Sequence, residues 1–423
     1  MDNLTDLHIE KEILPLFDYT HNRFSKKTLC NILQEPLSSV EDIITRQNIL
    51  KGFLQNNPIL ENYSYTVSYL YEVHDFLTNQ IIENLSEKKL RYRLFASKHK
   101  KSEYKSKFIQ MLLFFHRLQS LYFSRLKTGL FPESYKTTIN RLYQFLDGIL
   151  IKEYEVLIRE YKLKDKHIIE LSAVISNKIS NGEISVFWKD FFEFEAYLSV
   201  SQGIFANKFS FPNFTENNFS LEGFYHPVLK KPITNSFQTN KTVIVLTGPN
   251  MSGKSTLLKA VSLCVYLGHL GLAVPALKAE MPFYSGFSIQ INHNDDIQNG
   301  YSHFMSEVMN LKSVVEEVIL GRNQFAVFDE LFSGTTVEDA YEILTTTIKG
   351  LSKFKDSIFF ISTHLQQLKE MQHLNNANVS TFYIDCEMVD NSPIFTYKLK
   401  KGWSDLSVGK ILFDKEGLNE MLS

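Results

Sequence analysis

Apolar positions in the first half of the chain recur at helical spacing. Phe108, Met111, Leu112, Phe115, Leu118 and Tyr122 follow one another at three- and four-residue steps. Ile139, Leu142, Tyr143, Leu146, Leu150, Leu157 and Tyr161 keep the same rhythm. Each series predicts one face of a long amphipathic helix packed on other helices. Gly and Pro are sparse up to about residue 205, so residues 1–205 read as an all-α helical domain. Around Phe211-Pro212-Asn213 and Glu216-Asn217-Asn218 the rhythm fails, and Pro and Asn mark a polar linker over 206–219. Beyond it the period changes. Short β-branched and aromatic runs (Val243 to Leu246, Phe325 to Phe328, Ile358 to Ile361) alternate with helical stretches (Ser255 to Leu267, His303 to Leu320, Val337 to Leu351). That alternation predicts a multidomain α and α/β protein. An amino-terminal helical domain precedes an α/β domain, residues 220–423, built on a mostly parallel sheet.

Composition adds limits. Hydrophobic residues at 44% and charged residues at 22% allow a large buried core, and a formal net charge of -2 gives no general affinity for a polyanion. Any nucleic-acid surface must be a local patch. Cys30, Cys264 and Cys386 stand far apart without a CxxC pair, which argues against a disulfide framework or a structural zinc site. The amino terminus, with Asp2, Asp6 and Glu10, is acidic and lacks an apolar leader, and no apolar run approaches the roughly 20 residues of a membrane span. These features together predict a cytoplasmic protein with no membrane partner.

Chemistry concentrates in the second half. Gly248-Pro249-Asn250-Met251-Ser252-Gly253-Lys254-Ser255 is a full G-x4-G-K-[ST] match lying between an apolar strand and a helix, the context in which such a loop cradles phosphates. Its glycines let backbone N–H groups and the helix N-terminus face the anion. Lys254 would reach the β- and γ-phosphates of ATP, and the Ser255 hydroxyl would ligate Mg²⁺. A second strand ends in Asp329 and Glu330. An acid at that place holds the metal, and the carboxylate after it takes a proton from, or orients, the attacking water. A third strand, Ser357 to Ser362, leads into Thr363-His364, where the imidazole could sense the γ-phosphate or position water.

These elements, in this order, resemble the MutS family of DNA-repair ATPases, relatives of the ABC-type ATPases. Gly248 to Thr256 match the family's GPNM-x-GKST loop, Asp329 and Glu330 followed by Gly334-Thr335 match its acidic strand end, and Ser362-Thr363-His364 matches its [AS]-T-H switch. Tyr225-His226-Pro227-Val228 is similar to the lead-in to the motor. Asp295-Asp296-Ile297, then Ser302, Phe304 and Glu307, resemble its signature segment. The resemblance implies a dimer through the ATPase domains, with Ser302 reaching the partner's γ-phosphate as a donor placed where charge develops. Farther upstream, Pro36 to Ile43 with Arg46 is similar to the start of the family's helical core and lever, and Glu195 to Val200 to its end. It implies a short member without mismatch-recognition and connector domains, since Phe192-Glu193-Phe194-Glu195 reads as core helix and not as a base-probing wedge. Leu331-Phe332-Ser333-Gly334 departs from the Gly-Arg-Gly usual in the mismatch branch.

Lys88, Lys89, Arg91, Arg93, Lys98, Lys100, Lys101, Lys105 and Lys107 form a basic run, with Tyr92, Phe95, His99 and Tyr104 interleaved. In the resembling family, basic tips of the helical arms clasp the DNA backbone without reading bases. The expectation is a MutS-like ATPase of DNA repair or recombination, engaging double-stranded or structured DNA, with a possible repair-protein partner. The alternative is a nucleotide-dependent switch acting on a protein complex without DNA. A small-molecule kinase is disfavoured, because it gives no account of Asp295-Asp296, Ser302 or Thr363-His364.

Overall fold

The computed structural model describes residues 5–78, 98–291, 303–370, 378–389 and 392–403, with 411, 413, 415, 421 and 422. The chain forms two units, a helical one of Phe17–Ile32 and Thr45–Ala206 and an α/β one of Met1–Leu16, Leu33–Ile44 and Asn207–Ser423. It passes between them four times, after Leu16, Ile32, Ile44 and Ala206. Two amino-terminal segments therefore cluster with the α/β unit, where composition placed them among the helices. Specific bonds explain it. The Asp6 carboxylate accepts the Ile291 amide at 2.7 Å, and the Leu37 amide donates to the His269 carbonyl at 2.9 Å.

Helices α1 (Arg23–Gln34) and α2 (Val40–Gln55) contribute most of their length to the helical unit. After them come α3 (Val67–Thr78), α4 (Lys98–Leu121), α5 (Glu133–Asp147), α6 (Ile151–Arg159), α7 (Asp165–Ser180) and α8 (Glu183–Asn207). The apolar stripe from Phe108 to Leu118 lies on α4 and is buried, as is Tyr122 just beyond it. The second stripe does not form one helix. It is shared by α5 and α6, which break at Gly148 to Leu150. There the Gly148 amide returns to the Gln144 carbonyl at 2.9 Å, and Leu150 adopts a left-handed φ of 55°. Ile139, Leu142 and Leu146 are buried, but Leu150 is half exposed and Tyr161 is 98% exposed. A rhythm carried on by the next helix conceals the break between them.

Helix α8 is the core of this unit. Phe194 is fully buried, and Glu195 beside it is only 3% exposed. The Glu195 carboxylate accepts from Asn22 Nδ2 at 2.5 Å, Ser25 Oγ at 2.6 Å and the Tyr63 hydroxyl at 2.9 Å. Burial raises its pKa, and hydrogen bonds from the Ser25, Tyr65 and Tyr63 hydroxyls oppose the rise. Asp190 on the same helix takes a bidentate pair from Arg141, at 2.8 and 3.0 Å.

In the α/β unit, strands β1 (Asn213–Phe214), β2 (Phe219–Phe224) and β3 (Asn235–Thr239) precede the nucleotide-loop strand β4 (Val243–Thr247). Helix α9 (Lys254–His269), β5 (Lys278–Met281), β6 (Gly286–Gln290), α10 (His303–Ile319), β7 (Gln324–Phe328) and α11 (Val337–Leu351) follow. The unit ends in β8 (Ile358–Ser362), β9 (Val379–Val389) and β10 (Ser392–Lys401). The central sheet runs β10-β9-β4-β8-β7-β6. Its β9–β4, β4–β8, β8–β7 and β7–β6 pairs are parallel, and β10–β9 is antiparallel. Every residue of β4, β7 and β8 is buried, as happens when both faces of a sheet are covered.

A smaller sheet, β1-β5-β2-β3, uses the stretch read as linker. Asn213 and Phe214 pair with Glu280 and Met281, and Ser210 bridges Val274. That partner strand lies far along the chain, and no local signal announces it. Buried His269 ties the end of α9 to the loop between β5 and β6. Its Nδ1 lies 2.8 Å from the Val265 carbonyl, and its Nε2 accepts the Tyr284 amide at 2.9 Å. Among the described residues, no helix is long and apolar enough to cross a membrane.

Candidate nucleotide site

Parallel strands that share a sheet present their carboxyl ends together, and ligands of such sheets bind there. Here β4, β8 and β7 are consecutive neighbours, so the loop after β4, Thr363-His364 after β8 and the acid pair after β7 meet at one edge. Two backbone bonds extend the ladders into these loops, from the Thr363 amide to the Leu246 carbonyl at 3.0 Å and from the Asp329 amide to the Gln290 carbonyl at 2.9 Å.

The loop itself requires its glycines. Gly248 has φ 144°, and a Cβ there would lie 3.0 Å from Ser252 Oγ and 3.3 Å from the Ile384 carbonyl. Gly253 has φ 96° and caps α9, and a Cβ there would lie 3.2 Å from the Tyr397 ring. Side chains at both positions would intrude on a tight cradle. Lys254 is 5% exposed. Its ammonium donates to the Gly248 carbonyl at 3.0 Å and lies 3.4 Å from both the Pro249 carbonyl and Asn250 Oδ1. Burial lowers its pKa, and the carboxylates of Glu330 and Asp329 pull it back up. Ser252 Oγ is buried with no hydrogen-bond partner among the described residues. Met251, Ser255 and Thr256 are exposed around the start of α9.

The acid pair faces this loop. Glu330 Oε1 lies 3.7 Å from the Lys254 ammonium. Asp329 is buried, and Ser362 at the end of β8 connects the two acids. The Ser362 hydroxyl donates to Asp329 Oδ1 and accepts the Glu330 amide at 2.8 Å. Glu330 and Phe332 both take left-handed conformations, with φ 49° and 65°. The Phe332 amide donates to Glu307 Oε2 of α10 at 3.2 Å, and the Ser333 amide to the Glu330 carbonyl at 3.1 Å. Burial pushes the Glu307 carboxyl up to about 7, against the Phe332 amide, which favours the ionised form. His364 is exposed beyond Thr363.

A cavity of about 320 Å³ opens beside the loop, lined in part by Tyr225, His226, Leu229, Gly253, Thr256 and Tyr397. Tyr397 stands at an irregularity of the β9–β10 pairing with φ 56°. Asn235 clamps it, donating to the Tyr397 carbonyl at 3.0 Å and accepting the Leu399 amide at 2.8 Å. Neither Tyr397 nor the bridging role of Ser362 emerged from the sequence, because both depend on which strands become neighbours.

The residues fit a nucleoside triphosphate with its Mg²⁺: an amide-lined turn at a helix N-terminus, an orphaned hydroxyl, a lysine and a carboxylate pair converge. Of the other expected residues, Ser302, Lys88, Lys89, Arg91 and Arg93 lie outside the described residues, as does the side chain of Lys100. Lys98, Lys101, Lys105 and Lys107 lie on α4 of the helical unit. Lys101 pairs with Asp165 at 2.5 Å, Lys105 donates to the Leu163 carbonyl at 2.9 Å, and Lys107 pairs with Glu103 at 2.9 Å.

Residues 244–419 match the family model described as MutS domain V. The chain is 24% identical over 432 residues to the DNA mismatch repair protein MutS of Petrotoga mobilis, covering 91% of this chain and 51% of that one. It is 25% identical over 434 residues to the DNA mismatch repair protein MutS of Prochlorococcus marinus strain MIT 9301, covering 94% and 44%. The chain thus spans about half the length of the curated relatives it matches. The loop and the acid pair thus lie inside the stretch that matches MutS domain V, and similarity to MutS proteins runs along most of the chain.

Proposed function

We propose that this chain is a MutS-type ATPase that uses ATP binding and hydrolysis to control its hold on DNA. One observation carries the reading. Lys254 and the Asp329–Glu330 pair converge at the carboxyl edge of one sheet, bridged by Ser362. In this reading Gly248 to Thr256 wrap the phosphates, and Lys254 exchanges its loop carbonyls for the β- and γ-phosphates. The cavity beside Tyr397 accommodates the base. Mg²⁺, held by Ser255 and Asp329, would offset the phosphate charge. Glu330 takes the proton of the attacking water, and His364 faces the γ-phosphate side.

The dimer is part of the proposal. Two copies would face each other through their ATPase domains, with Ser302 of each reaching the other's nucleotide. Basic residues of the helical unit, from Lys88 to Lys107, would hold the backbone of double-stranded or structured DNA, and a further repair protein could join. A second reading, a nucleotide switch on a protein complex without DNA, gains support from the internal partners of Lys101, Lys105 and Lys107.

The test uses the full chain with MgATP. Lys254→Ala should lose nucleotide affinity, and Glu330→Gln should bind ATP yet hydrolyse it slowly. Turnover of Glu330→Gln at the parental rate would refute the base assignment. Absence of binding to homoduplex, mismatched and junction DNA in every nucleotide state would leave only the second reading.

A further inference from the structure

The turn after the acid pair is held in an unfavourable shape. Two non-glycine residues within three positions, Glu330 and Phe332, adopt left-handed φ values. Residues with a Cβ rarely adopt this conformation in an unconstrained chain, so surrounding groups must impose it. Ser362 fixes the first by accepting the Glu330 amide. The second is fixed from a different element. Glu307 on α10 accepts the Phe332 amide at 3.2 Å, and it is itself 7% exposed, buried where a carboxylate needs a reason to be.

Phe332 is fully packed, with its ring 5.9 Å from that of Phe304 on the same helix as Glu307. It belongs to the core cluster that includes Val314 and Val318 of α10 and Leu344 of α11. Packing alone fixes the ring. It does not choose between peptide orientations, whereas a hydrogen bond to the amide does. Rotating that peptide would also swing the Leu331 segment, and with it Glu330.

We propose that Glu307 is a positioning residue for hydrolysis. Through the Phe332 amide it locks the turn that aims Glu330 and ties the setting of Glu330 to the placement of helix α10. The proposal rests on the reading of Glu330 as the base. It gives the Leu331-Phe332-Ser333 departure a use: the turn is stabilised by a carboxylate on a neighbouring helix rather than by glycines of its own.

The experiment compares Glu307→Ala and Glu307→Gln in the full chain. Three quantities are read: the steady-state rate with MgATP, the affinity for a fluorescent ADP analogue, and hydrogen exchange of the segment around Phe332. Glu307→Ala should lower kcat about tenfold or more, since small misplacements of a catalytic group are costly. Its KM and ADP affinity should stay within about twofold, and the Phe332 amide should exchange faster. Glu307→Gln keeps an oxygen acceptor and should restore both rate and protection, which a role as a buried charge would not, whereas Glu307→Leu fills the space without an acceptor and should stay slow and unprotected. Parental turnover or unchanged exchange in Glu307→Ala would overturn the proposal, as would a Gln variant as slow as the Ala one. Failure of the underlying reading shows separately, as parental turnover by Glu330→Gln.

Discussion

A single buried imidazole sets an acid limit on the α/β unit. His269 accepts the Tyr284 amide through Nε2, so protonating it breaks that bond inside a core of aromatic rings. Burial lowers its pKa from 6.5 to about 4, against the pull of the Val265 carbonyl. The unfolded chain therefore takes up a proton that the folded chain refuses. Stability contributed by neutral His269 is complete above the unfolded pKa and is lost as pH falls from about 6.5 towards 4, by on the order of 3 kcal/mol. Urea unfolding across that window should show a steeper acid loss for the parent than for His269→Gln, and parallel curves would remove His269 from the account. At this scale the sequence was readable where chemistry follows an apolar run, as at Gly248 to Ser255 and Asp329-Glu330. It was not readable at His269 or Tyr397, nor in the bridge made by Ser362 or the hold of Glu307 on the Phe332 amide. The action of these residues is defined by neighbours far away in the chain.

At the level of elements, α8 shows how polar groups specify helix packing. Glu195 gathers donors from Asn22, Ser25 and Tyr63, two of them on or just before α1 and one in the segment before α3. Removing the carboxylate would leave these donors buried without their acceptor. Glu195→Ala should thus destabilise the helical unit by about 3 kcal/mol, seen as a lower urea midpoint. A shift within measurement error would mean that water or neighbours replace the carboxylate at no cost. The elements also show what periodicity conveys. Strands β4, β7 and β8 and helix α11 stand where the apolar runs placed them, because a five-residue fully buried strand has few alternatives. The α5–α6 break and strand β1 escaped. In the first case the apolar rhythm continues past the interruption, and in the second a two-residue strand exists only by virtue of β5.

For the whole molecule, the proposals about DNA and dimerisation are matters of charge and mass action. If the run from Lys88 to Lys107 holds phosphates, DNA affinity should fall steeply with salt. Replacing Lys98, Lys100 and Lys101 by Ala should flatten log K against log salt by about 0.9 for each phosphate no longer neutralised. An unchanged slope would retire the patch. ATP with Mg²⁺ should shift the chain towards a dimer by sedimentation, more so in Glu330→Gln. Ser302→Ala should slow hydrolysis only at concentrations where the dimer exists.

The four passages of the backbone between units bear on how the protein can be cut. A fragment starting at Asn207 keeps every residue of the phosphate loop, yet it lacks Asp6 and Leu37, whose bonds to Ile291 and His269 tie the early segments into the α/β unit. Such a fragment should melt at a lower temperature than the same domain within the intact chain. Supplying residues 1–44 as a separate peptide should recover part of the difference. Proteolytic nicking near Ala206 should then leave the pieces associated, because the early part of the polypeptide is threaded into the later one.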